Sequence, residues 1–164
     1  MNEKCPTCHG MVERIRGDWK FQEGGLEGVV LKNIEILRCG ECGEAPVIPR
    51  LESVLRSIAL AVALKASALE GREIRYLRKH AERTPSEFAA LLGVKPAVLD
   101  RWEGGEEAPE PEVDRLIRLV ALGLSEGLAG YVPELARSLG QIGPERRPLV
   151  VEIDPETMQY RYAA

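Results

Sequence analysis

The stretch GREIRYLRKHAERTPSEFAALLGVKPAVLDRWEGG, residues 71–105, decides the fold of the central part of the chain. Its apolar residues recur at helical spacing in three short runs. The second run opens with Thr84 as a suitable N-cap, Pro85 at the first helical position and Glu87 placed to reach back. Gly93 then ends that run. The pattern predicts helices from about 71 to 80, 84 to 92, 96 to 103 and 112 to 122. The middle pair forms a helix-turn-helix.

The third of these helices has an unusual charge for a DNA reader. Residues 95–112 carry two cations, Lys95 and Arg101, against six carboxylates: Asp100, Glu103, Glu106, Glu107, Glu110 and Glu112. The net charge of the 164-residue chain is −4, so no overall basic field attracts nucleic acid. On a helical wheel Val98, Leu99 and Trp102 face inward and Arg101 outward. Residues 70–83, with five cations and three acids, must supply any DNA-facing field.

Four cysteines stand near the N-terminus in two C-x-x-C pairs, Cys5 with Cys8 and Cys39 with Cys42. Each pair can direct two sulfurs to one side, and the two pairs together complete a tetrahedral shell. We therefore predict one structural Zn²⁺ per chain. Two disulfides are the alternative, which a cytosolic location disfavours. His9 is a further possible ligand in place of Cys8, although four thiols already suffice.

The residues between the cysteine pairs favour strands. Segments 11–17 and 29–38 alternate in part and are rich in β-branched residues, and QEGGLEG at 22–28 is a turn signal. Residues 1–47 therefore form a small antiparallel unit pinned by the metal and closed by Pro46 and Pro49. A unit of this size depends on metal binding for its folding energy. We expect its core to be separate from that of the helical part.

The rest of the chain divides into a linker helix and a C-terminal extension. Residues 48–69 have a helical period, and IALAVAL at 58–64 is apolar on nearly every face. This helix either docks on the next domain or forms a dimer interface. After the helix-turn-helix domain, 70–123, the extension 124–164 contains a helix and a probable β-hairpin at 149–162 that caps the fold. The fold class is thus α+β.

The cysteine pairs followed by LEGREIRYLRK, SEFAALLGVK and VLDRWEGG resemble the MqsA (YgiT-type) antitoxin family, which joins a CxxC/CxxC zinc domain to a lambda-repressor-like helix-turn-helix. The resemblance covers residues 1 to about 122. It implies a homodimeric repressor of its own operon whose zinc domain binds an RNA-cleaving toxin. The extension departs from the family, and such proteins also occur without an evident toxin.

The resemblance places DNA contacts on the third helix. Arg101 matches the family's base-contacting arginine, which can pair bidentately with guanine. Ala97 replaces the family's asparagine and can touch only a thymine methyl, whereas Asp100 can accept from cytosine N4 but repels phosphate. Phosphate contacts are then expected from the remaining candidates: Lys79, Arg83, Lys95 and the amides capped by Thr84 and Ser86. The sequence predicts weak, salt-sensitive binding to double-stranded DNA.

Two other function classes are alternatives to a DNA-binding repressor. In a non-enzymatic protein-interaction adaptor, the helix-turn-helix would be only a dimer or partner scaffold. An enzyme is not expected, because His9 and His80 are the only histidines and neither lies in a catalytic context. We expect a cytoplasmic protein, since the sequence has neither a hydrophobic signal core nor a membrane-length apolar run.

Overall fold

The computed structural model describes residues 4–43 and 47–163, so Pro46 lies outside the described residues. Strands and helices follow one another in a mixed α+β order, as the sequence predicts. They are β1 Val12–Phe21, β2 Val29–Cys39, α1 Leu51–Leu64, β3 Ser67–Ala68, α2 Gly71–His80, α3 Pro85–Leu92, α4 Pro96–Glu103, α5 Pro111–Leu124, α6 Val132–Ser138, β4 Gly143–Arg146, β5 Val151–Asp154 and β6 Gln159–Tyr162.

The main sheet combines strands from both ends of the chain. Its order is β1-β2-β5-β6, with antiparallel pairing inside each hairpin and parallel pairing between β2 and β5. Val29 and Leu31 of β2 lie opposite Val151 and Ile153 of β5. The predicted C-terminal hairpin is therefore present, but it extends the N-terminal sheet rather than capping the helices.

The linker helix α1 is covered by its own chain. Residues Ser57 to Ala63 are each at most 1% exposed. The helix lies against α2, α5 and α6 as well as β5 and β6, and the Tyr162 hydroxyl donates to the Ala61 carbonyl at 2.6 Å. Of the two alternatives for this helix, docking is therefore correct, and its apolar face is not free to form a dimer interface.

The helix-turn-helix forms as its local signals predict. Thr84 caps α3 by accepting a hydrogen bond from the Glu87 amide at 3.2 Å, and the Glu87 carboxylate accepts from the Thr84 amide at 2.9 Å. Gly93 ends the helix in the left-handed region at φ 71°. The bounds of α2 and α4 agree with those predicted, and α5 extends slightly beyond its predicted range at both ends.

The expectation of two separate cores is wrong. One hydrophobic cluster contains Phe21 and Leu31 of the N-terminal hairpin, Ile58 of α1, Ile117 of α5 and Ile153 of β5. The physical reason is that β5 pairs with β2 while the apolar side chains of the sheet pack on α1. One hydrophobic core is thus shared by the four predicted segments, 1–47, 48–69, 70–123 and 124–164.

A buried arginine joins the helices beneath this core. Arg118 of α5 is fully buried and pairs with Asp114, Nε to Oδ1, at 2.7 Å. Its Nη1 and Nη2 donate to the carbonyls of Ala63 and Ser67 at 3.1 and 2.6 Å. The end of α1 and the strand after it are thereby held against α5.

Within residues 4–43 and 47–163, none of the helices is both long enough and apolar enough to cross a lipid bilayer.

Candidate metal centre and nucleic-acid interface

The four cysteines converge at the end of the β1–β2 hairpin. All their sulfur atoms lie within 4.8 Å of one another, with 3.6 Å between Cys5 and Cys42 and 3.4 Å between Cys8 and Cys39. Two thiolates on one tetrahedral zinc, each bonded at about 2.3 Å, would stand about 3.8 Å apart. The donor set therefore fits one four-coordinate metal ion, with each C-x-x-C turn supplying two ligands.

The backbone around the thiols favours their ionised form. The amides of Cys8 and Thr7 lower the pKa of Cys5 to about 7. The amides of Cys42 and Glu41 likewise lower the pKa of Cys39. At Cys8 the Gly10 amide lowers the pKa, but the Cys39 and Cys5 thiols raise it, so its pKa lies above the usual value. Because thiolates are the form that binds metal, the backbone favours metal binding most clearly at Cys5 and Cys39.

The alternative ligand arrangements receive no support from this geometry. All four cysteines are free thiols. His9 is exposed and does not belong to the cluster, so it does not replace Cys8. Cys5 and Cys39 are buried whereas Cys8 and Cys42 are exposed. A site closed by four protein ligands is structural, because no position remains for a substrate.

Helix α4 is held in the helix-turn-helix by its inner side. Leu99 is fully buried and Trp102 is 6% exposed, while Val98 is half-buried. Glu103 accepts from Arg78 Nε at 2.6 Å and from Nη2 at 3.0 Å, and Arg75 Nε lies 3.4 Å from the same carboxylate. This ion pair joins the end of α4 to α2.

The outer face of α4 carries the predicted base-reading group. Pro96, Ala97 and Asp100 are exposed, and Arg101 is half-buried. Arg101 Nε stands 2.9 Å from Oε1 of Glu107, although its N–H finds no hydrogen-bond acceptor, so the contact is an ion pair only. The helical wheel placed Arg101 on the outer face, as observed, but it did not predict the ion pair with Glu107.

The loop after α4 explains this ion pair. The amides of Glu106 and Glu107 both donate to the Arg101 carbonyl, at 3.0 and 3.4 Å, with Gly105 at φ 76°. The loop thus turns back over the end of the helix and carries Glu107 to the guanidinium. A contact between these acids and Arg101 was not predicted from the sequence. The Gly104-Gly105 pair is the sequence signal that could have predicted a tight turn directly after α4.

The predicted phosphate-contacting residues lie at the end of α2, at the start of α3 and, for Lys95, at the start of α4. Lys79 and Lys95 are exposed, and neither side chain has a salt bridge within the described residues. Arg83 is half-buried and donates only to a backbone carbonyl. Thr84 and Ser86 occupy the exposed start of α3, where Thr84 is already engaged as the cap.

A family model described as a helix-turn-helix domain matches residues 71–128, which span α2 to α5. No curated protein matches the chain. The matched domain and the cysteine cluster together are the features of a metal-binding helix-turn-helix protein. A helix-turn-helix domain is characteristic of DNA-binding regulators.

Proposed function

We propose that this protein is a sequence-specific transcriptional regulator that places α4 in the major groove of an operator. The observation that carries the proposal is the match to a helix-turn-helix domain over residues 71–128, in which Arg101 lies on the outer side of the second helix. Arg101 pairs with guanine, while Lys79 at the end of α2 and Lys95 at the start of α4 contact phosphates.

The test is a set of binding isotherms on the DNA upstream of the gene at two salt concentrations. Arg101→Ala is expected to reduce affinity by about 1–3 kcal/mol per half-site and to remove discrimination at one base pair. Lys79→Ala should weaken binding to all DNA sequences alike and reduce the dependence of the affinity on salt concentration. If Arg101→Ala binds the operator as the parent does, α4 does not read DNA.

The metal in this proposal is zinc, one ion per chain. Four thiolates suit Zn²⁺, and the cysteine sulfurs already stand at compatible separations. When bound, the ion would stabilise the end of the β1–β2 hairpin that carries the cysteines, where β1 begins and β2 ends. Metal analysis of freshly purified protein is expected to give one equivalent of zinc. Finding another metal or none would refute this assignment.

The particular role we propose is that of an antitoxin of a type II toxin–antitoxin pair. It rests on the resemblance of residues 1 to about 122 to the MqsA family. In this role the metal-binding N-terminal region binds and blocks an RNA-cleaving toxin, and the helix-turn-helix represses the shared operon. The test is co-purification with the product of the neighbouring gene and inhibition of that product's ribonuclease activity.

A homodimer would supply the second half-site contact. Since α1 is covered, we place the dimer face on α5. Val113, Leu116, Val120 and Leu124 follow a helical stripe there, and Leu116 and Leu124 are 37% and 40% exposed. Leu116→Lys should convert a dimer to monomers in light scattering. Val150→Lys, an exposed apolar residue outside α5, is the control and should leave the dimer intact.

The adaptor function is favoured by one specific observation, the ion pair that engages Arg101 with Glu107. In that case the acidic loop binds a basic protein and α4 serves as a scaffold. The isotherms above separate the two functions, since an adaptor shows no Arg101-dependent affinity for DNA.

A further inference from the structure

The C-terminal extension forms one side of a small, partly open cavity against the helix-turn-helix domain. The cavity has a volume of about 260 Å³, or roughly nine times the volume of one water molecule in the liquid. Its walls come from the loop before α5, from the first turns of α5 and from β4. Neither the metal centre nor the proposed DNA-reading face uses this space.

One wall holds an arginine that lacks a partner. Arg115 is half-buried, and its Nε is buried without a hydrogen-bond acceptor. Within residues 4–43 and 47–163 its guanidinium forms neither an ion pair nor a hydrogen bond. The described chain thus leaves the charge of Arg115 unpaired beside the cavity, and an anion in the cavity could balance it.

The remaining lining adds a second cation and an apolar floor. Arg146 of β4 is exposed and has only a 3.4 Å contact from Nη2 to the Glu107 carbonyl. Asp114 also lines the cavity, but its carboxylate is occupied by Arg118 and by the Leu69 amide at 2.7 Å. Ala68, Pro109 and Ile142 supply apolar surface. The cavity is therefore lined by two arginines that have no carboxylate partner within residues 4–43 and 47–163, and by Asp114, whose carboxylate is already paired.

We propose that this cavity binds a small organic carboxylate with a short apolar body. A carboxylate offers two oxygens to the planar fork of arginine, and the ligand's alkyl part fits against the alanine, proline and isoleucine walls. The extension then provides a ligand site for the regulator. The inference does not depend on DNA binding, because the site is complete in the free protein.

The test is an NMR titration of the full-length protein with butyrate, observed at the arginine Nε–H resonances. Affinity of millimolar order is expected for so small a ligand. The Arg115 Nε–H signal, assigned by its loss in Arg115→Gln, should move saturably. Arg115→Gln and Arg146→Gln should each weaken binding about tenfold or more. Because Arg146 is exposed, its replacement keeps the test valid if Arg115→Gln fails to fold.

Matched controls separate this site from general anion binding. Arg147→Gln removes the neighbouring exposed arginine, which does not line the cavity, and should leave butyrate affinity unchanged. Butyramide keeps the shape without the charge and should not bind. The proposal is overturned if butyrate moves no Nε–H signal, if butyramide binds equally, if Arg147→Gln weakens binding as much, or if inorganic phosphate competes with equal affinity.

Discussion

At the scale of single residues, the ion pair between Arg101 and Glu107 affects how freely the proposed base-reading guanidinium of Arg101 can contact DNA. The two side chains are 42% and 52% exposed, so water and salt screen their attraction. Exposed pairs are worth about 0.2–1 kcal/mol. If Arg101 reads guanine as proposed, the Glu107 carboxylate competes for its guanidinium, so the pair would lower the affinity for DNA without abolishing it.

Glu107→Gln should therefore strengthen operator binding about two- to fivefold at low salt. The reason is that the amide keeps the shape of the loop while removing the carboxylate that competes for Arg101. Binding isotherms on the upstream DNA measure the change. Glu106→Gln is the matched control, since it removes the same charge from the adjacent exposed residue, which has no salt bridge within the described chain. Equal gains in both variants would mean that only the overall charge matters.

Among the helices and strands, the start of α2 meets the end of α4 at a glycine. A Cβ on Gly71 would stand 2.4 Å from the Trp102 carbonyl oxygen and 2.7 Å from that of Glu103. Both neighbours are backbone atoms, so the helices would have to separate. The ion pair between the Arg78 and Glu103 side chains also holds α2 close to the end of α4.

Gly71→Ala should destabilise the fold by about 1–3 kcal/mol, the usual consequence of an overpacked contact. Gly123→Ala is the control, because Gly123 lies in the exposed part of α5 with no atom within 4 Å of its added Cβ. That change should stabilise by roughly 0.4–1 kcal/mol. Urea unfolding of both variants measures the difference, and a Gly71→Ala variant as stable as the parent would contradict the close approach.

For the whole molecule, the continuous core changes what metal loss is expected to do. Residues 29–31 of β2 pair with β5, which lies against α1, so Val29 and Leu31 are fully buried without help from the metal. Residues 34–39 of β2, which lie nearer the cysteines, pair with β1 and, at Leu37, with Val47. An independent unit that unfolds by itself is no longer the expectation.

Removing the metal with a chelator should expose amides 4–17 and 34–43 to hydrogen exchange and leave 21–31 protected. Cys39→Ser should give the same pattern, because it removes one ligand of the cluster. Exchange followed by mass spectrometry resolves the two halves. Loss of protection across all of residues 4–43, with the helices unaffected, would restore the two-core interpretation.

The buried Arg118 provides a second test of the shared interior. Arg118→Met should destabilise the protein by about 3–5 kcal/mol, because Asp114 would remain buried without its cation. The carbonyls of Ala63 and Ser67 would lose their donor as well. Arg137→Met, on the exposed face of α6, should change stability little. Thermal unfolding of the two variants gives the comparison, and similar melting temperatures would show that Arg118 does not join α1 to α5.

The sequence by itself determined the features that depend on neighbours along the chain. The Thr84–Glu87 cap, the Gly93 turn, the inner face of α4 and the C-x-x-C pairs each need only a few adjacent residues, and all were predictable. The tertiary structure alone decided that β5 joins β2, that α1 is covered, that Glu107 reaches Arg101 and that Arg115 and Arg146 share a cavity. These outcomes depend on which distant surfaces pack together. Local propensity cannot specify that choice, because the free energy of burial is gained only when the partners meet.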